Sequence, residues 1–261
     1  MYPYDVFLGM DLYEIAIVLA FFAALVYFRF WADRRGFSAK LQNLCIVGAM
    51  IAVFGGYGAA VLAQAFYNYL DGGRFELTRG TGATFYGGLI GGAVIFIAIY
   101  FLGGRILHEK TANQRFFEMS GIAGGAIALA HGIGRIGCLC AGCCHGEVTD
   151  AWYGIYNAAL DAKTVPVQLF EALFLFALAA FLSVWLWKGM RGGLGIYLSA
   201  YAVWRFFIEY LRTDHRGQSP ISFLSPSQLT AVVLLLVGVG LIVLDYTVAT
   251  RHRTGGNDDE T

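Results

Sequence analysis

Charged side chains are scarce: Asp, Glu, Lys and Arg make up 14% of the 261 residues. A soluble globular domain carries nearer ~25%, so a surface facing water on all sides is excluded. Net charge is lacking as well, because 18 Lys and Arg balance 18 Asp and Glu. With no basic stripe to neutralise phosphates, a nucleic-acid partner is excluded. Basic residues are missing from the first twenty-eight positions, which hold Asp5, Asp11 and Glu14 but no Lys or Arg. A secretory signal peptide opens on a basic segment, so the first apolar run is expected to stay in the membrane as a helix. Short alternating strands are absent too, which argues against a membrane barrel.

What is present is apolar sequence in helix-length blocks. Hydrophobic residues make up 58% of the chain and mean hydropathy is +0.61. Apolar runs recur near 12–30, 44–70, 84–102, 119–138, 166–187, 194–211 and 226–249. At 1.5 Å per residue, about 20 residues cross a bilayer core. The expected fold is therefore an all-α membrane protein of about seven transmembrane helices. It is expected to form one domain over residues 1–250, with a short charged tail at 251–261.

Cytoplasmic connections concentrate Lys and Arg, which orients the bundle. One set of connections holds Arg29, Arg34, Arg35, Lys40, Arg105, Lys110, Arg115, Lys188, Arg191, Arg251 and Arg253. The other holds Arg74, Arg79, Lys163, Arg212 and Arg216, while Arg135 and Arg205 fall inside predicted helices. Eleven against five places the N-terminus outside and the C-terminus in the cytoplasm.

Ionisable residues inside a membrane helix cost a few kcal/mol on insertion scales and mark functional candidates. On the fourth run, His131 and Arg135 are four apart and share a face with Cys138. On the sixth, Arg205 and Glu209 are four apart, followed by Arg212 and Asp214. The fifth run adds Gln168 and Glu171, and the seventh begins at Ser225, Pro226, Ser227 and Gln228. In the charge-derived topology all of these gather toward the outer leaflet. Two guanidinium groups with acceptors nearby suit a phosphate, which guanidinium binds through two parallel hydrogen bonds. A structural ion pair and a snorkelling arginine are the bland alternative. The third run opens on Phe85, Tyr86, Gly87 and Gly88, with Gly91 and Gly92 completing two small-xxx-small pairs. Helix packing is the first explanation for those glycines.

Four of five cysteines cluster as Cys138, Cys140, Cys143 and Cys144, with His145 next in line. Cys140 and Cys143 are spaced as a redox pair or a disulfide. Cys and His together also suit zinc, although zinc sites draw on two separated pairs and this is one cluster. The run is equally readable as small residues tolerated at a helix end. No metal and no cofactor are expected.

The segment from His131 to Asp150 reads His-Gly-Ile-Gly-Arg-Ile-Gly-Cys-Leu-Cys-Ala-Gly-Cys-Cys-His-Gly-Glu-Val-Thr-Asp. It resembles the signature of the prolipoprotein diacylglyceryl transferase family. Three further stretches match in order: Tyr86 to Gly91, Pro166 to Glu171, and Arg205 to Arg212. The resemblance covers nearly the whole chain, and the family likewise has seven helices with the N-terminus outside. Family members move the diacylglyceryl group of phosphatidylglycerol to the lipobox cysteine thiol of a prolipoprotein, forming a thioether and releasing glycerol phosphate.

The resemblance implies that Arg135 and Arg205 hold the phosphate, that Glu209 positions Arg205, and that Tyr86 and His131 belong to the catalytic set. It implies substrate contacts for Gly87, Gly88, Cys138, Gly146, Gln168 and Glu171. The implied partners are phosphatidylglycerol, lipobox prolipoproteins and membrane lipids, and the implied state is a monomer. The implied location is the bacterial plasma membrane, with the site toward the outer leaflet.

Four positions depart from the family pattern. Tyr86 replaces a His, Cys138 and Ala141 replace Asn, and Cys143 replaces Glu. With an ordinary pKa near ~10, Tyr86 is a poor base for a thiol. His131 and His145 are the imidazoles available instead. The alternative expectation is a repurposed relative acting as a membrane thiol oxidoreductase through the Cys138–Cys144 cluster. A transporter explains the intramembrane charges but not the series of motifs.

Overall fold

Backbone hydrogen bonding dictates the secondary structure here. In lipid every N–H and C=O must be paired internally, so an apolar run long enough to cross becomes a helix. The computed structural model describes residues 6–7, 9–72, 74–78, 80–212 and 223–255. Among them are seven α-helices: α1 (Leu12–Arg34), α2 (Ala39–Leu70), α3 (Phe85–Ile106), α4 (Ala112–Ala141), α5 (Val167–Trp187), α6 (Gly193–Ile208) and α7 (Pro226–Gly255). All seven apolar runs are helical. Six of these helices are long and apolar enough to span a membrane; α6 is the exception. Its 16 residues cover about 24 Å, and the chain then tightens into a 3-10 turn at Glu209–Leu211.

Large apolar side chains lie bare on these helices, including Phe22, Phe54, Ile90, Ile106 and Leu236, each more than 60% exposed. Lipid is the solvent that accepts such a surface, and the protein is an all-α, multi-pass membrane protein. Asp214, Arg79, Arg216 and tail positions 256–261 lie outside the described residues.

Two helices start well before hydropathy alone predicts. Ser38 caps α2 by accepting a hydrogen bond from the Leu41 amide at 3.1 Å, which starts the helix five residues before its apolar run. The polar opening turns of α4 include Arg115. Its two terminal nitrogens donate to the carbonyls of Arg35 (2.5 Å) and Gly36 (2.7 Å), and its guanidinium lies 3.9 Å over the Phe37 ring.

The chain forms two units: residues 1–31 with 117–261, and residues 32–116. In the smaller unit α2 and α3 pack backbone to backbone. A Cβ on Gly56 would come within 2.9 Å of the Gly88 carbonyl, and one on Gly87 within 2.5 Å of the Ala63 methyl. The Thr84 amide donates to the Ala60 carbonyl and its hydroxyl to Gln64, fixing where α3 starts against α2. The small-xxx-small spacing is thus used for close helix approach. Gly56→Leu is therefore expected to cost about 1–3 kcal/mol. Gly58→Ala, where an added methyl meets nothing within 4 Å, is expected to be neutral or slightly stabilising. Thermal unfolding of the two variants in detergent checks this.

In the larger unit, Ala128, Leu175, Leu178, Ala179, Leu182 and Tyr197 form a core shared by α4, α5 and α6. Gly193 lies on Gly121, and Gly195 on Gly238, so α6 is clasped closely by α4 and α7. Buried Asp245 of α7 accepts from the Arg191 Nε and the Gly192 amide, both at 2.7 Å, anchoring the start of α6. Between α4 and α5 lies a small antiparallel hairpin, β1 (Ile155–Asn157) with β2 (Ala162–Thr164). Strands of three residues carry too little alternation to be read from sequence.

Candidate active site

The spacing of polar residues on α4, α5 and α6 builds the centre of the larger unit. Residues four apart share a helix face, so α6 presents Tyr197, Tyr201 and Arg205 as one stripe, which Glu209 continues at the start of the 3-10 turn. Opposite it, α4 carries His131, Arg135 and Cys138, and α5 carries Gln168 and Glu171.

Glu171 is the hub of the first cluster and is fully buried. Its Oε1 pairs with Arg135 Nη2 at 3.0 Å and accepts from the Tyr201 hydroxyl at 2.8 Å. His131 Nε2 lies 3.9 Å from the same oxygen, while its Nδ1 is 3.0 Å from the Tyr197 hydroxyl. The His131 ring meets the Tyr201 ring edge-on at 4.7 Å.

A second cluster surrounds Arg205, itself only 6% exposed. One terminal nitrogen, Nη2, donates to Glu209 Oε2 at 2.6 Å and to Ser227 Oγ at 3.0 Å. The other Glu209 oxygen accepts from Ser225 Oγ at 2.9 Å, so the start of α7 holds the carboxylate that holds the arginine. Arg205 is within electrostatic reach of both His131 and Tyr201.

Each guanidinium is half committed. Among the described residues, Arg205 spends Nη2 and leaves Nη1 buried without an acceptor; Arg135 leaves its Nε in the same condition. A buried donor with no acceptor costs about 1–3 kcal/mol. Two positively charged groups that each keep a donor in reserve have the chemistry to hold an anion.

The loop after α4 is pinned from beneath. Gln168 Nε2 donates to the Cys143 carbonyl at 2.5 Å, and the fully buried Asn157 donates to the Gly142 carbonyl at 2.9 Å. Gly142 (φ +77°) and Cys144 (φ +60°) both take the left-handed conformation, which turns the chain back toward Cys138. Gly146 pairs with Val165 and with Arg212, and a Cβ there would strike the Leu211 carbonyl at 2.5 Å. No other residue fits that place. The Cys144 thiol is held below the usual thiol range by hydrogen bonds from the Cys138 and Cys143 thiols, with the Arg212 guanidinium beside it.

Of the residues expected from sequence, the larger unit holds His131, Arg135, Cys138, Gly146, Gln168, Glu171, Arg205 and Glu209, tied by the contacts above. Tyr86, Gly87 and Gly88 belong to the smaller unit, where Gly87 and Gly88 are taken up by contact with α2 and Tyr86 is 42% exposed. The Cys140–Cys143 pair, one of the three readings left open by the sequence, is not what the fold assembles. The thiols that meet are those of Cys138, Cys143 and Cys144, and all five cysteines are unpaired. Sequence reasoning missed Tyr197, Tyr201 and Asn157, and had Ser227 only as one polar residue at the start of the seventh run. The two tyrosines continue the Arg205–Glu209 spacing upstream, the one signal that points to them.

A family model described as prolipoprotein diacylglyceryl transferase matches residues 5–244. The chain belongs to the prolipoprotein diacylglyceryl transferase family. A phosphatidylglycerol–prolipoprotein diacylglyceryl transferase 2 from Clostridium perfringens (strain 13 / Type A) is 31% identical over 254 residues, 93% of either chain. A phosphatidylglycerol–prolipoprotein diacylglyceryl transferase from Clostridium tetani (strain Massachusetts / E88) is 30% identical over 241 residues, 89% of this chain and 92% of the relative. One of the same name from Dehalococcoides mccartyi (strain CBDB1) is 28% identical over 245 residues, 88% and 87% of the two chains. All three carry the transferase name, and the oxidoreductase alternative finds no support among them. Cys138, Ala141 and Cys143, the positions at which the resemblance implies departures, all fall in the pinned loop and the helix end it returns to.

Proposed function

We propose that this chain transfers the diacylglyceryl group of phosphatidylglycerol to a lipobox cysteine thiol. The observation that carries the reading is the pair of half-committed arginines, Arg205 buried and Arg135 mostly so, which suits the one phosphate of that lipid. The thiol loses its proton, sulfur forms a C–S bond to the diacylglyceryl carbon, and the C–O bond to phosphate breaks. The electron pair of that bond leaves on glycerol phosphate. Charge on this leaving group grows along the reaction, and donors aimed at developing charge contribute most to rate. Arg135 and Arg205 take that role; Glu171 and Tyr201 position the first, Glu209 and Ser227 the second.

His131 accepts the thiol proton in this scheme, being the imidazole on the same face as Arg135. His131→Gln is expected to lower transfer by about 10²-fold or more at neutral pH. The deficit should shrink as pH rises toward ~8.5, where a free thiol ionises unaided. A uniform deficit across pH would instead assign His131 a structural role.

The excess of Lys and Arg on one set of connections supports an N-terminus outside and a cytoplasmic C-terminus. In that orientation the arginine pair faces the outer leaflet of the bacterial plasma membrane, where a lipobox segment emerging from the membrane meets it. Expression in bacteria depleted of their own transferase tests the reading: rescue of lipoprotein maturation, lost on Arg205→Ala, supports it. Failure to rescue by a protein that is present and folded in the membrane counts against it.

A further inference from the structure

The sulfurs of Cys138, Cys143 and Cys144 all lie within 4.8 Å of one another. Around a tetrahedral ion with Zn–S bonds of ~2.3 Å, sulfurs sit ~3.8 Å apart. The three thiols therefore need to close by only about 1 Å. The fold reaches this arrangement deliberately: one thiol comes from the last turn of α4, and two come from a loop reversed by Gly142 and a left-handed Cys144. Buried Asn157 and Gln168 hold that loop by its carbonyls rather than its side chains, so anchoring the loop does not use the thiols. The Cys143 thiol lies 3.7 Å from the Cys138 carbonyl, and Cys140 stands outside the group.

We propose that Cys138, Cys143 and Cys144 bind one zinc-class thiophilic divalent ion, whose fourth position is open to an incoming thiol. Each thiol gives up its proton on binding. Three thiolates and a divalent ion carry one net negative charge, and the guanidinium of Arg212 beside Cys144 supplies one positive charge to offset it. Three protein ligands with an open fourth place is the pattern of catalytic rather than structural zinc. A thiol that coordinates such an ion is deprotonated. Cys138 is three residues from Arg135 on the same helix face, so an acceptor thiol bound there would be ionised next to the proposed phosphate site. This part rests on the transferase reading; the metal site itself does not. It gives a use to the thiols at Cys138 and Cys143, where the family pattern has an amide and a carboxylate, and His131 remains the acceptor for the proton released.

The test uses the full-length protein, purified in detergent without chelator or added metal. Mass spectrometric metal analysis is expected to find about one zinc per chain, and cobalt substitution to give thiolate-to-cobalt absorption. Cys138→Ser, Cys143→Ser and Cys144→Ser should each weaken binding by about 100-fold or more, with Cys45→Ser and Cys140→Ser unchanged. A lipobox peptide should shift the cobalt bands, and the same peptide with serine for cysteine should not. Metal-free wild-type protein that also fails to take up cobalt after reduction overturns the site without recourse to any variant. Bound cobalt indifferent to the peptide, or full transfer by chelator-stripped protein, overturns the thiol-accepting role. Metal binding is read with no lipid present, so it stands or falls separately from transferase activity.

Discussion

Arg205→Lys is expected to abolish nearly as much transfer as Arg205→Ala, about 10²–10³-fold in kcat. The reason is the division of labour within one guanidinium. Nη2 is consumed by Glu209 and Ser227, and Nη1 is the donor held in reserve. A lysine offers a single nitrogen and cannot be anchored at one end while presenting another toward phosphate. If positive charge alone mattered, lysine would recover most of the rate. Initial rates with saturating phosphatidylglycerol decide the point. Glu209→Gln should fall between wild type and Arg205→Ala, because the amide still accepts one hydrogen bond but no longer offsets the buried charge.

Glu171→Ala is expected to be the most destabilising single substitution in the site, by about 3–5 kcal/mol. Removing this carboxylate leaves the mostly buried Arg135 without its counter-charge, and Tyr201 without its acceptor. Replacing both partners, Arg135→Met with Glu171→Met, should recover much of the stability, since a desolvated pair gains little over apolar side chains of similar size. Transfer should stay lost in the double variant. Thermal unfolding in detergent alongside a rate assay separates the two effects. Equal destabilisation of the single and double variants would mean that Glu171 acts through packing rather than through Arg135.

Most of the helical framework was legible in the sequence because lipid leaves so few choices for the backbone. Helix ends were less legible where polar anchors carry a helix beyond its apolar run, as Ser38 and Arg115 do. The charged half of the site was legible because ionisable residues at membrane depth stand out against apolar sequence. The tyrosines that complete it were not, since tyrosine near a membrane reads first as interfacial. Spacing alone could not say which cysteines meet. That depends on a reversal at Gly142 and Cys144, a conformation the side chain of Cys144 does not advertise. The β1–β2 hairpin escaped for lack of length, yet it supplies Asn157, one of the two amides that hold the loop.

Mass spectrometry of a lipobox peptide after incubation with the purified protein and phosphatidylglycerol tests the central claim most directly. The expected result is a peptide heavier by one diacylglyceryl group on its cysteine, with glycerol phosphate released in equal amount. Both products should be lost together in Arg135→Ala. An unmodified peptide, in the presence of folded protein that binds phosphatidylglycerol, would contradict it.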